Sequence, residues 1–73
     1  MKEVYRAYFA SLDDAKAARN KKQEELLQQP YYFDCSVWEC TDPWELDNID
    51  HWVNGKFLRY SVIACVWEDQ KVR

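Results

Sequence analysis

The sequence predicts a small α+β fold in which one helix covers one face of an antiparallel or mixed sheet of three to four strands. Two stretches of β-like alternation, at Lys2–Phe9 and 31–40, flank a stretch with helical spacing. A third and longer β-like run spans residues 57–67. The predicted order is therefore β-α-β-β. With 73 residues and no linker or low-complexity segment, we expect a single domain over 1–73.

The alternation assigns the two sides of each predicted strand. Tyr5, Ala7 and Phe9 of the first strand should point toward the helix. The run 57–67 is mixed on one side and apolar on the other, which is typical of a central strand. The residues of its apolar side, which should face the core, are Leu58, Tyr60, Val62, Ala64 and Val66. The residues expected on the opposite face of the sheet, called here the front face, are Val4, Arg6, Tyr8, Tyr32, Trp38, Arg59, Ile63 and Trp67.

The helix has a clear beginning and end in the sequence. Ser11 is a favourable N-cap, with Asp13 and Asp14 at the positive end of the helix dipole. The helix should run from residue 12 to 28 or 29, because Pro30 stops it. Lys22 should extend its stem over the apolar surface and keep its amine in water. The positions expected to rest on the sheet are Leu12, Ala15, Ala18, Lys22 and Leu26.

Residues 41–56 form the predicted connection to the last strand. Asn54-Gly55 is the strongest turn signal and predicts a hairpin between 50–53 and 56–60. Five acidic residues occur in 39–50 with no lysine or arginine among them: Glu39, Asp42, Glu45, Asp47 and Asp50. They are interleaved with four large apolar residues: Trp44, Leu46, Ile49 and Trp52. The polar tail 68–73 should fray.

This interleaved stretch has two interpretations. As an acidic-aromatic recognition loop, it would engage a basic protein surface or imitate the spaced charge of a nucleic-acid backbone. Alternatively, its apolar side chains fold back over the front face and fill the core.

Composition excludes several classes of function. A net charge of −3 argues against nucleic-acid or anionic-membrane binding, and no apolar run approaches the roughly 20 residues of a membrane span. The N-terminus has no signal-peptide pattern. An odd number of cysteines, three, favours free thiols in a reducing cytoplasm.

No motif in the chain predicts catalysis or a cofactor. Cys35, Cys40, Cys65 and His51 could in principle form a zinc site. However, Cys35 and Cys40 are five residues apart on one strand, so they should point to opposite faces, and we expect no metal site. A small metal-dependent hydrolase is the least implausible enzyme; we expect a protein that is not an enzyme.

Tyr, Trp and Arg on the front face are the residue types enriched in protein-protein hot spots. Arg6, Tyr8, Trp38, Arg59 and Trp67 are therefore the predicted anchors on this face. Aromatic residues on an open sheet also suit single-stranded RNA, but the acidic charge and the presence of only two arginines argue against it. The residues predicted to approach a basic partner surface are Trp44, Glu45, Asp47, Asp50 and Trp52.

In length, acidic aromatic-rich composition and β-α-β-β order, the chain resembles very small phage-encoded transcription regulators that bind host RNA polymerase. The resemblance covers the whole chain, but it includes no residue motif and assigns no functional residue. It implies a bacterial RNA polymerase subunit as partner, inhibition of host promoters and antitermination, all in the host cytoplasm. The alternative is a phage counter-defence inhibitor, either an acidic DNA mimic or an anti-nuclease protein. We expect a monomer without a cofactor.

Overall fold

One helix and two small sheets make up the part of the chain that the computed structural model describes, which is residues 1–71 without the side chain of Asp47. The α+β class is confirmed, and the β-α-β-β order is broadly confirmed. The elements are β1 (Lys2–Phe9), α1 (Leu12–Leu26), β2 (Tyr31–Glu39), a 3₁₀ helix (Leu46–His51), β3 (Trp52–Val53), β4 (Lys56–Phe57) and β5 (Tyr60–Lys71).

The main sheet has the strand order β1-β5-β2, and β5 is antiparallel to both neighbours. The outer strands β1 and β2 are therefore parallel to each other, and α1 is the crossover between them. This explains why β5 is the most apolar strand, because it alone is paired on both edges and packed on its helix side.

The core lies between α1 and the face of the sheet that the alternation predicts. Val62, Ala64 and Val66 of β5 are buried, and Ala15 and Leu26 of α1 are buried against the sheet. The small alanine side chains allow the helix to approach the sheet closely. The partly buried side chains packed around Leu26, Ala64 and Val66 are Tyr5, Tyr31, Phe33 and Cys35.

The cap of α1 is as predicted, but its end is not. The amide of Asp14 donates to Ser11 Oγ over 3.1 Å. The helix ends at Leu26, before 28 or 29, because the next turn is tightened by i-to-i−3 bonds, with the amide of Gln29 donating to the carbonyl of Leu26. Leu12 is exposed, contrary to expectation, since it is the first helical residue and lies beyond the sheet contact.

The last strand begins and ends later than predicted. Lys56–Phe57 belongs to the hairpin, and the amide of Leu58 donates to the carbonyl of His51 over 2.7 Å. β5 extends through Lys71, which pairs with Tyr31 after a register shift between Tyr31 and Tyr32, so residues 68–71 are strand rather than frayed tail. Residues 72–73 of the predicted tail lie outside the described residues.

The hairpin at Asn54-Gly55 is confirmed, with strands of two residues each. Asn54 and Gly55 have φ angles of 52° and 79°, the left-handed pair that a tight two-residue hairpin turn requires. β2 ends at Glu39, one residue before the predicted boundary, although the amide of Cys40 still donates to the carbonyl of Arg59 over 2.8 Å.

Candidate functional site

His51 of the connection covers part of the front face of the sheet. His51 is buried, its ring centroid lies 4.6 Å from that of Tyr8, and its Nδ1 lies 2.7 Å from the carbonyl oxygen of Leu58. Ser61, opposite Tyr8 in the ladder, is also buried. His51 therefore holds the connection against the front face at the end where β5 begins.

The four apolar residues of the connection do not form this cover. Trp44, Leu46 and Ile49 are 84%, 88% and 66% exposed, and Trp52 is also exposed. The interpretation in which these side chains fold back and fill the core is therefore wrong for Trp44, Leu46 and Ile49, whereas Trp52, at 38% exposed, packs partly on Phe57. The physical reason is that the connection is attached through His51 and Leu58, which leaves the other side of the 3₁₀ helix toward solvent.

The connection is nevertheless held by its own contacts. The amide of Trp44 donates to Asp42 Oδ1 over 2.9 Å, and the side-chain amide of Asn48 donates to the carbonyl of Asp42. Trp52 Nε1 donates to the carbonyl of Pro43 over 3.0 Å, and the Trp52 ring packs on Phe57 with centroids 5.4 Å apart. These hydrogen bonds and this ring packing link the two ends of the connection to each other.

Acidic side chains surround these apolar groups. Glu39, Asp42, Glu45 and Asp50 are exposed, and no lysine or arginine occurs from residue 40 to 55. The predicted contribution of Asp47 lies outside the described side chains. We call residues 42–53 the acidic-aromatic connection; it combines exposed apolar area with negative potential.

On the front face, the predicted anchor Arg6 already has partners in its own strand. Its Nη2 lies 2.6 Å from Glu3 Oε1 and its Nη1 donates to the Tyr8 hydroxyl over 3.3 Å. These bonds hold the pKa of Glu3 below its ordinary value and raise the pKa of Arg6. The Arg6 side chain is therefore held by residues of its own strand, and these bonds occupy part of its hydrogen-bond donors.

Two predicted aromatic anchors, Trp38 and Trp67, lie in different places on the front face. Tyr32 and Trp67 pack edge to face with ring centroids 5.2 Å apart, near the far end of β5. Trp38 pairs with Ser61 at the near end and is exposed. Arg59 precedes β5 and its Nη1 lies 3.9 Å from Glu39 Oε1, so it does not join the other anchors on the sheet.

The cysteines lie apart. Cys35 is on the helix side, with its Sγ 3.7 Å from the carbonyl oxygen of Arg19, and burial raises the pKa of its thiol. Cys65 is on the front side opposite Asp34, and Cys40 follows β2. Within the described side chains, no three His, Cys, Asp or Glu residues are grouped so that they could hold a metal ion.

A groove between α1 and β1 is a feature that the sequence pattern did not reveal. It has a volume of about 380 Å³ and is lined by Tyr5, Phe9, Ala18, Lys21, Lys22 and Glu25. Lys22 behaves as predicted: its Nζ lies 4.7 Å from the centroid of the Tyr5 ring and 2.7 Å from Glu25 Oε2. In the sequence, the feature that could have pointed to this groove is the adjacent pair Lys21-Lys22, which follows the alanine-rich first half of α1.

Searches against protein-family models, curated proteins and solved structures found no match to this chain. Within residues 1–71, no helix has the length and apolar character to cross a lipid bilayer.

Proposed function

We propose that this chain is a non-enzymatic protein that binds bacterial RNA polymerase and inhibits or redirects transcription through protein-protein contacts. The observation that carries the protein-binding part of this proposal is the exposure of Trp44, Leu46 and Ile49 on a connection that is held by its own hydrogen bonds. The choice of polymerase rests on the resemblance to small phage-encoded regulators described above, with the host cytoplasm as the compartment.

The exposed apolar side chains favour a protein partner on energetic grounds. A large apolar residue left in water contributes nothing to folding, whereas burying it is worth about 1.5–3 kcal/mol. Tryptophan also leads the residue types found at interface hot spots. Trp44 and Trp52 lie with ring centroids 6.1 Å apart, so one partner pocket could cover both.

The charge around these side chains specifies the chemistry of the partner surface. Glu45 and Asp50 are exposed beside the apolar group, with no cation from residue 40 to 55 to neutralise them. A partner surface carrying lysine or arginine around an apolar pocket would be complementary in both respects. Such a pairing accelerates encounter and weakens as salt screens the charges.

The front face offers a second contact area beside the connection. Arg6 is held by Glu3 and Tyr8, and Trp38 and Tyr32 are exposed. His51 joins the two areas, because it belongs to the connection and packs on Tyr8. A partner that covers both areas would bury more than the connection alone.

The mechanism requires differential binding only. If this chain stabilises one assembly of the polymerase and occupies a surface that another factor needs, the equilibrium shifts away from the competing assembly. No covalent step and no cofactor is involved.

A capture experiment with purified core RNA polymerase tests the proposal. The wild-type chain should retain polymerase at micromolar concentration. The double variant Trp44→Ala/Leu46→Ala should bind at least about 30-fold more weakly, because truncating a hot-spot residue typically costs ~2 kcal/mol. Both side chains are exposed, so the fold should be unaffected.

The matched control removes an apolar side chain elsewhere. Leu12→Ala lies at the start of α1, on an exposed position outside the connection, and should bind polymerase like the wild type. Absence of any complex with the wild type at micromolar concentration would remove polymerase as the partner.

The run of exposed acidic residues favours one alternative, a counter-defence inhibitor that presents DNA-like charge to a nuclease. Such a mimic relies mainly on charge, so its complex should dissociate steeply as salt rises. A complex that rests on Trp44 and Leu46 should tolerate salt better. Affinity measured from about 50 mM to about 500 mM salt, a range over which the Debye length shortens roughly threefold, separates the two.

A further inference from the structure

The groove between α1 and β1 combines an apolar floor with a cationic rim. Tyr5, Phe9 and Ala18 supply the apolar lining, and Lys21 and Lys22 stand at the helix side of the groove together with Glu25, which pairs with Lys22. Its volume, about 380 Å³, is enough to receive one or two large side chains. It remains open because α1 packs mainly over β2 and β5 and covers β1 least.

The charges that line the groove are opposite in sign to those of the connection. Three charged residues line it, Lys21, Lys22 and Glu25, and Glu25 Oε2 pairs with Lys22 Nζ over 2.7 Å, so the lining carries a net positive charge that comes from Lys21. The acidic-aromatic connection has the opposite composition, with exposed Glu45 and Asp50 around exposed Trp44 and Leu46.

We propose that the acidic-aromatic connection of one copy docks in the α1-β1 groove of a second copy. Trp44 or Leu46 would lie on the floor formed by Tyr5 and Phe9, and Glu45 would approach Lys21. Apolar area and charge are complementary in the same contact, which is the combination that specifies a protein interface.

A chain cannot make this contact with itself. Tyr8 and Phe9 are consecutive strand residues, so their side chains lie on opposite faces of the sheet. His51 holds the connection on the Tyr8 side, whereas Phe9 lines the groove on the helix side. Any connection that occupies the groove therefore belongs to another copy.

The same geometry determines the form of the assembly. Because the two complementary surfaces lie on opposite faces, two copies cannot easily exchange both contacts at once. The contact is heterologous, and association should continue head to tail rather than stop at a closed dimer. This departs from the monomer expected from the sequence, and it holds whether or not polymerase is the partner.

Sedimentation equilibrium of the wild-type chain from about 10 μM to about 1 mM tests the proposal, a range that covers weak self-association. The weight-average mass should rise with concentration and pass that of two copies. A single-chain mass throughout this range, or a plateau at two copies, would overturn it.

Charge-reversed variants identify the contact. Lys21→Glu should weaken self-association roughly fivefold, as should Glu45→Lys, because each places like charges together. An equimolar mixture of the two should recover association, since the altered groove of one faces the altered connection of the other. Lys16→Glu makes the same charge change on an exposed part of α1 outside the groove and should leave association unchanged.

The outcomes separate this inference from the proposed function. Lys21→Glu should still capture polymerase, whereas Trp44→Ala/Leu46→Ala should lose both self-association and capture. Equal effects of Lys21→Glu and Lys16→Glu, or no recovery in the mixture, would contradict docking in the groove.

Discussion

Adjacent residues of this chain differ sharply in burial, and His51 is the clearest case. It is buried between Tyr8 and the carbonyl of Leu58, while its neighbours Asp50 and Trp52 are exposed. From the sequence alone, His51 could serve as a zinc ligand, because it is the one histidine in a chain with three cysteines. Its packing on Tyr8 depends on where a long connection folds, which no local pattern encodes.

Predictions of which way a side chain points were correct where the two-residue period of a strand or the 3.6-residue period of a helix determines the direction. The period-two rule placed Val62, Ala64 and Val66 correctly toward α1. Lys22 extends over Tyr5 as the helical spacing predicts. The prediction that Leu12 rests on the sheet was wrong: Leu12 is the first residue of α1, and its side chain is exposed.

The burial of Cys35 leads to a prediction about reactivity. Only the thiolate reacts with an alkylating agent, and burial raises the pKa of this thiol, so the folded chain should contain less thiolate at pH 8 than the unfolded chain. Cys35 should therefore react severalfold more slowly with iodoacetamide in the folded state, and the difference should shrink as pH rises through the raised pKa.

Peptide mass spectrometry measures this rate for Cys35 without altering the chain. The control is the same reaction in urea, where the three cysteines should react at similar rates. Equal rates for Cys35 in the folded and unfolded chains would show that the thiol is not shielded.

At the scale of elements, β1 was predicted with its observed limits because alternation and the Ser11 cap bound it on both sides. The limits predicted for the last strand, 57–67, differ from those of β5, because the apolar run begins in the hairpin strand β4 and continues into β5. Only the pairing of β5 with β1 and β2 places its start at Tyr60 and carries it to Lys71. Tertiary pairing of this kind cannot be read from one segment.

The connection should depend on His51 for its attachment to the sheet. His51→Ala removes ring contacts with Tyr8 and Phe57 and the bond to the Leu58 carbonyl. The expected loss in the free energy of unfolding is about 2 kcal/mol, from two ring pairs and one hydrogen bond. Hydrogen exchange should accelerate most in residues 41–59.

Asp50→Ala is the matched control for this variant. Asp50 is exposed and adjacent in sequence, so its removal should change stability by less than about 0.5 kcal/mol. If His51→Ala left exchange in 41–59 unaltered, the connection would have another attachment.

At the scale of the whole molecule, stability rests on a small core under α1. Leu26 is 4% exposed and packs with Ala64 and Val66, whereas the next residue, Leu27, is 39% exposed. Leu26→Ala should lower the free energy of unfolding by about 3 kcal/mol, through lost burial and the cavity left behind. Leu27→Ala, the same chemical change one residue later, should cost below about 1 kcal/mol.

Urea denaturation followed by circular dichroism compares the two leucine variants. A loss of 3 kcal/mol is a large share of the stability of a chain this short, so Leu26→Ala should unfold at much lower urea. Similar midpoints for the two variants would mean that α1 does not pack on the sheet through Leu26.

The protein-binding role proposed for this chain rests on the chemistry of its surface residues and not on a sequence motif. The sequence pattern identified the acidic and apolar residues of the connection, and the structure leaves Trp44 and Leu46 at the surface. The α1-β1 groove could not be predicted, because it results from how α1 is placed over the three strands. A pattern along one element does not encode that placement.

The most direct test of the account is hydrogen-exchange footprinting of this chain with and without core RNA polymerase at saturating concentration. Protection should concentrate in residues 42–53, with a smaller effect on the front-face strand segments that carry Arg6 and Trp38. Protection confined to α1, with unchanged exchange across 42–53, would contradict the role assigned to the acidic-aromatic connection.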